Sequence, residues 1–409
     1  MGADADRLTF ADIQSAQKRL AGNIVHTPCL PNRPLSRIVG AEVYLKFENR
    51  QIIGAFKERG ALNKLLCLSQ SERDRGVIAA SSGNHAQAVA YHASRLKVRA
   101  VIVMPKGTPM IKVCRTQAYG AEVVLEGDTF DEASRFTRER ASREGLTFIH
   151  PFDDPQVITG QGTVAVEMLN DVSDLDVLLV QIGGGGLIAG CAIAAKALKP
   201  GIRIVGVESK TYSAMYQRLK GLPVQVGGDT IAEGLAVRDI GEIPLGIVRK
   251  LVDEVLLVEE TTIERAIVTL IEEGKTVAEG AGATGLAALL EHPRRFTGKR
   301  VGLVITGGNI DSRLLSMVLM RGLIRDGKLV RLRILVPDRP GGLTKVTALI
   351  NSNGGHIIEA QYDRIFVPSV KTPAVELLVE TRDWDHVQAL VKTLRDQGVQ
   401  VMLLTQPAL

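Results

Sequence analysis

The sequence predicts an α/β fold of parallel strands covered on both faces by helices, followed by a small α+β unit. Two observations predict this fold. Over about the first three quarters of the 409-residue chain, short apolar β-type runs alternate with longer helical stretches, the pattern of parallel strands linked by helices. Beyond residue 328 the predicted order becomes strand, helix, two strands, helix and strand.

Eight apolar runs predict the strands of the first part, and each run ends near a Gly, Pro or Ser cluster. They are residues 43–47, 76–80, 100–104, 122–125, 177–182, 204–208, 256–258 and 301–306. The uncharged stretch 177–195 approaches the length of a membrane span, but its four consecutive glycines predict a strand, a loop and a helix instead. Because ligands of such sheets bind at the carboxyl ends of the strands, we expect the chemistry there.

The C-terminal part predicts a second domain of ferredoxin-like βαββαβ order. Its elements are a strand at 329–336, a helix at 342–353, strands at 356–366 and 375–381, a helix at 384–397 and a strand at 399–404. The predicted domains are therefore 1–327 and 328–409. A second domain with only a structural role stays an alternative, because topology alone does not define function.

Composition narrows the function classes. A formal charge of +5 without a basic tract does not predict a nucleic-acid partner, and 45% hydrophobic with 23% charged residues argues against a disordered or membrane-embedded chain. The cysteines lie far apart without a CxxC pair, which predicts neither a disulfide framework nor a zinc site. The N-terminus lacks the apolar region of a secretory signal, so we expect a cytoplasmic protein.

The first chemical feature is Lys57, in the run GAFKERGA at 54–61. A lone lysine at a helix start is most often a solvated residue. If Phe56 and the small neighbouring residues bury it, desolvation disfavours the ammonium and lowers its pKa. The neutral amine could then condense with an aldehyde and later accept a proton.

The second feature takes a strand into a helix through the residues Ser81, Ser82, Gly83, Asn84 and His85. Free backbone N–H groups at a helix N-terminus favour a carboxylate or a phosphate. An ordinary serine N-cap explains the two serines alone, but not the three residues that follow them. His85 by itself is expected to be a hydrogen-bonded structural residue rather than a base.

The third feature is a glycine loop between a strand and a helix. It consists of Gly183, Gly184, Gly185 and Gly186, followed by Leu187. Its backbone N–H groups can converge on an anion, which predicts a phosphate cradle. The identity of the phosphate stays open here, because the loop also satisfies GxGxxA and Glu208 ends the next predicted strand, as a dinucleotide site requires. A dinucleotide-dependent oxidoreductase is therefore an alternative.

The fourth feature is the run Thr306, Gly307, Gly308 and Asn309 after the strand 301–306. Taken alone, it predicts a tight turn. The Thr306 hydroxyl could equally form a hydrogen bond with a ring nitrogen, and only the combination of features separates the two interpretations.

In this order and at these separations, the four runs resemble the fold type II family of pyridoxal-phosphate enzymes over about residues 10–325. The resemblance implies two open, twisted α/β lobes, with a smaller lobe at about 50–150 inserted in the larger one. Within the family, the chain most resembles threonine ammonia-lyases (threonine dehydratases), with serine racemases and threo-3-hydroxyaspartate dehydratases as near relatives. The part from about residue 329, with PDRPGGL at 337–343, resembles an ACT regulatory domain, which racemases of this family generally lack.

The resemblance implies which residues hold pyridoxal 5'-phosphate. Lys57 corresponds to the Schiff-base lysine, and Phe56 packs against the cofactor ring. Asn84 donates a hydrogen bond to the phenolic oxygen, and the N–H groups of the glycine loop and Leu187 hold the phosphate. Thr306 faces the pyridine nitrogen, where a neutral hydroxyl weakens the electron sink and favours elimination over transamination.

The resemblance also implies a substrate site and catalytic residues. Ser81, Ser82 and Gly83, with the N–H groups near Asn84 and His85, bind the substrate carboxylate. The catalytic residues are the lysine and Ser82. The latter replaces the alanine of many threonine dehydratases and matches serine racemases, in which this serine is a second base.

The chain departs from the family pattern at other places too. Ala55 stands where serine is usual, and Ile53 stands where threonine is common, which removes a hydroxyl from the cofactor or substrate site. Glu208 aligns with an acidic metal ligand of certain relatives, but Tyr212 and Ala214 supply no second carboxylate. We therefore expect no metal site, with Glu208 only a weak candidate for a divalent cation.

The implied activity is deamination of L-threonine, and of L-serine, to 2-oxobutanoate or pyruvate and ammonia by β-elimination. Serine racemase and threo-3-hydroxyaspartate dehydratase activities are alternatives on the same fold. The second domain is expected to bind isoleucine or valine at the turn of Gly341 and Gly342, within a homo-oligomer that is a dimer or a tetramer. An amino-acid sensor with an inert catalytic domain is a third interpretation. Neither nucleic acid nor membrane is an expected partner.

Overall fold

The chain divides into two compact units, Met1–Ile310 and Asp311–Leu409. The computed structural model describes residues 8–336, 339–363 and 373–405, and the fold is given for these residues. The domain boundary that the sequence places after residue 327 stays a prediction.

Two sheets organise the first unit. Its strands are β1 Cys29–Pro31, β2 Glu42–Lys46, β3 Val77–Ala80, β4 Ala100–Met104, β5 Glu122–Leu125, β6 Thr147–Phe148, β7 Val177–Gln181, β8 Arg203–Ser209, β9 Glu254–Val258 and β10 Arg300–Val304. In the described residues, the strand orders are β1-β2-β10-β7-β8-β9 and β5-β4-β3-β6. All neighbours pair in parallel except β1, which runs antiparallel to β2. The eight predicted strands are confirmed, whereas β1 and β6 are too short to show a sequence period.

Helices cover both sheets. They are α1 Phe10–Leu20, α2 Arg33–Val39, α3 Lys57–Leu66, α4 Gln70–Arg75, α5 Asn84–Arg95, α6 Met110–Ala118, α7 Phe130–Glu144, α8 Pro155–Asp171, α9 Gly186–Leu198, α10 Ala214–Leu219, α11 Glu242–Leu251, α12 Glu260–Glu272 and α13 Gly280–Glu291. Several begin at a capping residue that can be recognised in the sequence. Thr129 starts α7 in a capping box with Glu132, and Asp154 caps α8 just before Pro155.

The smaller sheet has an apolar core on each face. Side chains alternate along its strands, so Ala79 and Ile102 enter one core while Ile78 and Val101 enter the other. The chain leaves the larger sheet after β2, forms the smaller sheet and returns at β7. The loops after β3 and β7 therefore stand at the carboxyl ends of parallel strands, where ligands of such sheets bind.

The second unit contains α14 Ser312–Arg325, β11 Leu329–Leu335, α15 Gly342–Ser352, β12 His356–Asp363, β13 Ala374–Glu380, α16 Trp384–Asp396 and β14 Gln400–Leu403. Its strands form an antiparallel sheet in the order β12-β13-β11-β14. Apolar residues of α15 and α16 pack with those of the sheet in one core. The predicted βαββαβ order is confirmed, and positions 337–338 and 364–366 of the predictions lie outside the described residues.

The apolar stretch 177–195 is a strand, a loop and a helix, as predicted, because the glycine loop separates β7 from α9. Across the described part of the chain, no helix has both the length and the apolar character needed to cross a membrane.

Candidate active site

Lys57 is the first residue of α3, directly after Phe56. Its Nζ donates a hydrogen bond to the backbone oxygen of Pro151 at 2.7 Å and lies 5.4 Å from the centroid of the Phe56 ring. Burial lowers the pKa of Lys57 from 10.5 to about 8, and the charge of Glu279 opposes this shift. A substantial fraction of the amine is therefore neutral near physiological pH, in the direction expected from the sequence.

A buried ionic network anchors the helix that carries this lysine. Arg59 is fully buried and donates to both oxygens of Glu48 at 2.7 and 2.8 Å. It also donates to both oxygens of Glu167 at 2.6 and 2.7 Å, and Lys46 donates to Glu167 at 2.6 Å. Burial opposes the ionisation of Glu167, but the hydrogen bonds and charges of its cations outweigh it and lower its pKa. Two buried cations thus balance two carboxylates and hold α3 against α8.

The run Ser81–His85 carries β3 into α5, and the N-terminus of α5 has no side-chain cap among the described residues. The Ser81 hydroxyl instead accepts from the Gly83 N–H at 3.3 Å, and Ser82 is partly exposed. The first N–H groups of a helix need partners, so this end is suited to an anion. The expected carboxylate-binding residues are thus brought together at one helix end.

His85 lies beneath this helix end. Its Nε2 lies 3.0 Å from the backbone oxygen of Ile149, which only accepts, so Nε2 carries the proton. Burial lowers the pKa of His85 to about 3, and the positive charge of Lys57 adds to this effect. The ring is therefore neutral, and its hydrogen bond supports the expected structural role.

The glycine loop at 183–186 is closely surrounded. A Cβ on Gly184 would lie 2.2 Å from the Phe152 ring, and a Cβ on Gly185, whose φ is 93°, would lie 2.7 Å from Pro244. At the other two glycines a Cβ would approach backbone oxygens to 2.8 and 2.9 Å. Gly185 directly precedes α9, whose N-terminus has no side-chain cap. A side chain therefore does not fit at any of these four positions, and the backbone N–H groups of the loop remain available to an anion.

The segment 149–152 joins these parts of the site. Its Pro151 oxygen accepts from the lysine amine, and its first carbonyl accepts from His85. Its Phe152 side chain is the ring that faces Gly184. Sequence reasoning missed this segment, since it contains no motif and the contacts that make it part of the site are long-range.

The run Thr306–Asn309 adjoins the lysine segment. Phe56 N–H donates to the Thr306 backbone oxygen at 3.0 Å, and Ala55 forms an isolated bridge with Gly307. Thr306 is 3% exposed. The run 306–309 therefore lies beside the run that contains Lys57, as expected if both belong to one site. The role of the Thr306 hydroxyl stays a prediction.

Glu279 is a site residue that sequence reasoning missed. Its carboxylate accepts from Asn84 Nδ2 at 2.7 Å, and Asn84 Oδ1 accepts from Asn309 Nδ2 at 2.8 Å. Burial raises the pKa of Glu279 to about 7, against the hydrogen bond from Asn84. The available sequence signal was weak: an acidic residue directly before the glycine-rich start of α13.

Glu208 has a local structural role. It is 1% exposed, and its two carboxylate oxygens accept from the N–H groups of Met215 and Tyr216 at 2.9 and 2.8 Å. Burial raises its pKa to about 8. Both oxygens of Glu208 therefore accept from backbone N–H groups at the start of α10. Within the described residues, no group of three His, Cys, Asp or Glu side chains is arranged to hold a metal ion.

Comparison with known proteins identifies the family. The model of the pyridoxal-phosphate dependent enzymes matches residues 20–307. The chain belongs to this family. Pyridoxal phosphate is therefore its cofactor, and the dinucleotide alternative is not supported.

Individual proteins are similar to this chain over most of its length. The L-threonine ammonia-lyase of Thermotoga maritima is 40% identical over 402 residues, covering 97% of this chain and all of that protein. The catabolic L-threonine dehydratase of Escherichia coli K12 is 42% identical over 75% of this chain and 94% of its own length. The solved serine racemase of Dictyostelium discoideum has a TM-score of 0.70 and 37% identity, and it covers 74% of this chain and 99% of that one.

The residues fit the cofactor of the family. A cradle that any Cβ would fill and an uncapped helix start suit a phosphate group. A lysine with a lowered pKa suits an aldehyde. Segment 149–152 joins the two, so that the phosphate cradle and the amine belong to one site. The individual roles of these residues stay predictions.

Proposed function

We propose that the protein is an ammonia-lyase that converts L-threonine to 2-oxobutanoate and ammonia, and L-serine to pyruvate and ammonia, by β-elimination. The observation that carries the proposal is the Lys57 amine, whose pKa is lowered to about 8 and which segment 149–152 links to two uncapped helix N-termini. Relatives named as threonine ammonia-lyase and threonine dehydratase support this substrate.

Bound pyridoxal phosphate supplies an aldehyde for the amino group and a conjugated ring that takes up the electrons of the Cα–H bond. The residues of the chain hold and orient the cofactor. We assign the phosphate to the N–H groups of the glycine loop and Leu187, and the aldehyde to the Lys57 amine. Asn84 would donate to the phenolic oxygen, and Phe56 would pack against the ring. Thr306 would offer the ring nitrogen a neutral hydroxyl instead of a carboxylate, which favours elimination.

The substrate carboxylate binds at the start of α5, where Ser81, Ser82 and the uncapped N–H groups face an anion. This would place Cα near the Lys57 amine, which accepts the Cα proton when it is neutral and free of the aldehyde. The β-hydroxyl leaves and, with the proton taken from Cα, accounts for one molecule of water. Hydrolysis of the unsaturated product consumes one molecule of water and gives the 2-oxo acid and ammonia. Threonine and serine differ by one methyl group, a difference worth about 1 to 3 kcal/mol in a pocket, so both are expected to react.

Racemisation is a second candidate because of Ser82. Ser82 lies in the loop after β3, two residues before the first residue of α5, and is partly exposed. A hydroxyl there can exchange a proton on the face of Cα opposite to the lysine. D-serine formation from L-serine, abolished by Ser82→Ala while ammonia release persists, would support this second activity.

For the second unit we propose an ACT-like regulatory role, with isoleucine or valine bound at Gly341 and Gly342 in a homo-oligomeric dimer or tetramer. The βαββαβ order and antiparallel sheet support it, as does Gly341, which precedes α15 with a φ of 84° and no side-chain cap. The E. coli dehydratase matches only 75% of this chain but 94% of itself, so an enzyme of this family exists without such an extension. Any inhibition requires different effector affinities for two enzyme states.

Turnover on L-threonine, L-serine and threo-3-hydroxyaspartate, with and without isoleucine, tests both proposals. We expect ammonia release to be fastest from threonine and to be abolished by Lys57→Ala. Chains ending at residue 327 should keep turnover and lose any response to isoleucine. A protein that binds threonine without releasing ammonia would instead be a sensor, and an isoleucine response that survives truncation would refute the regulatory assignment.

A further inference from the structure

A chain of hydrogen bonds crosses the site from Glu279 to the backbone beside the lysine segment. Asn84 Nδ2 donates to Glu279 Oε1 at 2.7 Å, and Asn309 Nδ2 donates to Asn84 Oδ1 at 2.8 Å. Asn309 Nδ2 also donates to the backbone oxygen of Ile53 at 2.7 Å. Each end of the Asn84 amide therefore has a partner on a different segment.

These partners give the Asn84 amide a single orientation. When Glu279 is ionised its carboxylate only accepts, so the Nδ2 end must then face Glu279. The Oδ1 end must face Asn309, whose own amide is oriented by a backbone carbonyl, which also only accepts. Asn84 has two N–H bonds on Nδ2, and only one is used by Glu279. The second remains available to an acceptor in the site.

The carboxylate of Glu279 is built into the fold. Glu279 N–H donates to the backbone oxygen of Gly307 at 3.0 Å, at the start of α13. A Cβ on Gly307 would lie 2.5 Å from Glu279 Oε1, so the carboxylate occupies space that only glycine leaves open. This contact explains why a glycine follows Thr306. Burial raises the pKa of Glu279 to about 7, while hydrogen bonds from Asn84 and from the backbone of Asn309 favour its ionised form.

We infer that Glu279 is a positioning residue that holds the Asn84 amide with an N–H bond toward the phenolic oxygen of the cofactor. The inference rests on the proposed contact of Asn84 with that oxygen. A flipped amide would present Oδ1, an acceptor, to an oxygen that carries negative charge, and the two would repel. Glu279 therefore acts on the cofactor through Asn84 without touching it.

A double-mutant cycle between Glu279→Gln and Asn84→Ala tests this inference. The readouts are the dissociation constant for added pyridoxal phosphate and the ratio of the absorption bands of the bound cofactor. A glutamine accepts or donates, so it no longer selects one orientation of Asn84. We expect Glu279→Gln to weaken cofactor binding about tenfold and to change the band ratio in the wild-type background, but to change binding less than about twofold in Asn84→Ala. Asn309→Ala should shift the band ratio in the same direction.

Glu291→Gln is the matched control. Glu291 is also a partly buried carboxylate of the α13 region, with a side chain 20% exposed that accepts from the Glu259 N–H at 3.0 Å. It lies twelve residues from Glu279, about 18 Å along the helix. Its substitution should leave cofactor affinity and bands unchanged.

The outcomes separate the inference from the proposed function. If Asn84→Ala weakens cofactor binding but Glu279→Gln does not, the positioning role is refuted while the cofactor site stands. An undiminished effect of Glu279→Gln in Asn84→Ala would show that Glu279 acts directly, and it would equally refute the inference. If Asn84→Ala leaves cofactor affinity and bands unchanged, the assigned contact of Asn84 fails and the inference fails with it.

Discussion

The ionisation of Lys57 can be measured directly in the cofactor-free protein. Its surroundings favour the neutral amine: burial lowers its pKa from 10.5 to about 8, even though the carboxylate of Glu279 acts in the opposite direction. A reagent that reacts only with neutral amines should therefore modify Lys57 with a midpoint near pH 8. This midpoint lies about two pH units below the value of about 10.4 for a lysine in a model peptide.

The expected enhancement is large. At pH 7.5, a pKa of about 8 leaves about a quarter of Lys57 neutral, whereas an ordinary lysine is about 0.1% neutral. Intrinsic reactivity being equal, Lys57 should react about 200-fold faster than a solvated lysine.

The stability of the fold is linked to the same pKa shift. Between pH 8 and 10.5 the unfolded chain binds the Lys57 proton more tightly, so the free energy of unfolding should rise with pH, by at most about 3 kcal/mol.

Competitive labelling with a trace amount of an amine-reactive reagent, followed by mass spectrometry of each lysine peptide, gives the pH midpoint of Lys57 modification. Glu279→Gln removes the charge that raises this pKa, so the midpoint should fall below the wild-type value. Glu291→Gln, at the far end of α13, should leave it unchanged. A Lys57 midpoint above pH 10, or one that does not respond to Glu279→Gln, would refute the electrostatic reasoning.

Two further predictions concern packing and the buried charges. Gly184→Ala places a Cβ 2.2 Å from the Phe152 ring, so thermal unfolding should reveal a loss of about 1 to 3 kcal/mol, and cofactor affinity should fall. Gly201→Ala, whose Cβ would meet nothing within 4 Å, is the control, and equal melting temperatures for the two variants would contradict the model of the loop. Arg59→Met leaves two buried glutamates with a single cation, so urea unfolding should show a loss of about 3 to 5 kcal/mol. A loss below about 1 kcal/mol would mean that the network tolerates an unpaired carboxylate.

Much of the fold could be predicted because strands and helices are set by local patterns. The runs at 100–104 and 122–125 coincide with β4 and β5, and the other predicted strands differ from the observed ones by a few residues at their ends. Short apolar runs between glycine or proline clusters bury both faces of a parallel strand, which is a property of neighbouring residues. The strands β1 and β6 escaped prediction because two or three residues do not show a period.

The kinds of functional group in the candidate site could also be predicted from the sequence. A lysine after Phe56, a hydroxyl-rich helix start and four consecutive glycines are each contiguous, and each has a local physical reason. Their resemblance to a known family related them to one cofactor. The family match over residues 20–307 confirms that cofactor, while the individual residue roles remain to be tested.

The sequence by itself determined the strand and helix order and the types of group available: an amine, a helix start preceded by two serines and a second helix start preceded by a glycine loop. Only the tertiary structure decided which residues surround them. The Pro151 carbonyl that binds the lysine amine lies 94 positions from it, and the carboxylate that orients Asn84 lies 195 positions away. Periodicity and propensity describe near neighbours, whereas burial, pKa and hydrogen-bond orientation depend on residues that meet only after the sheets have formed.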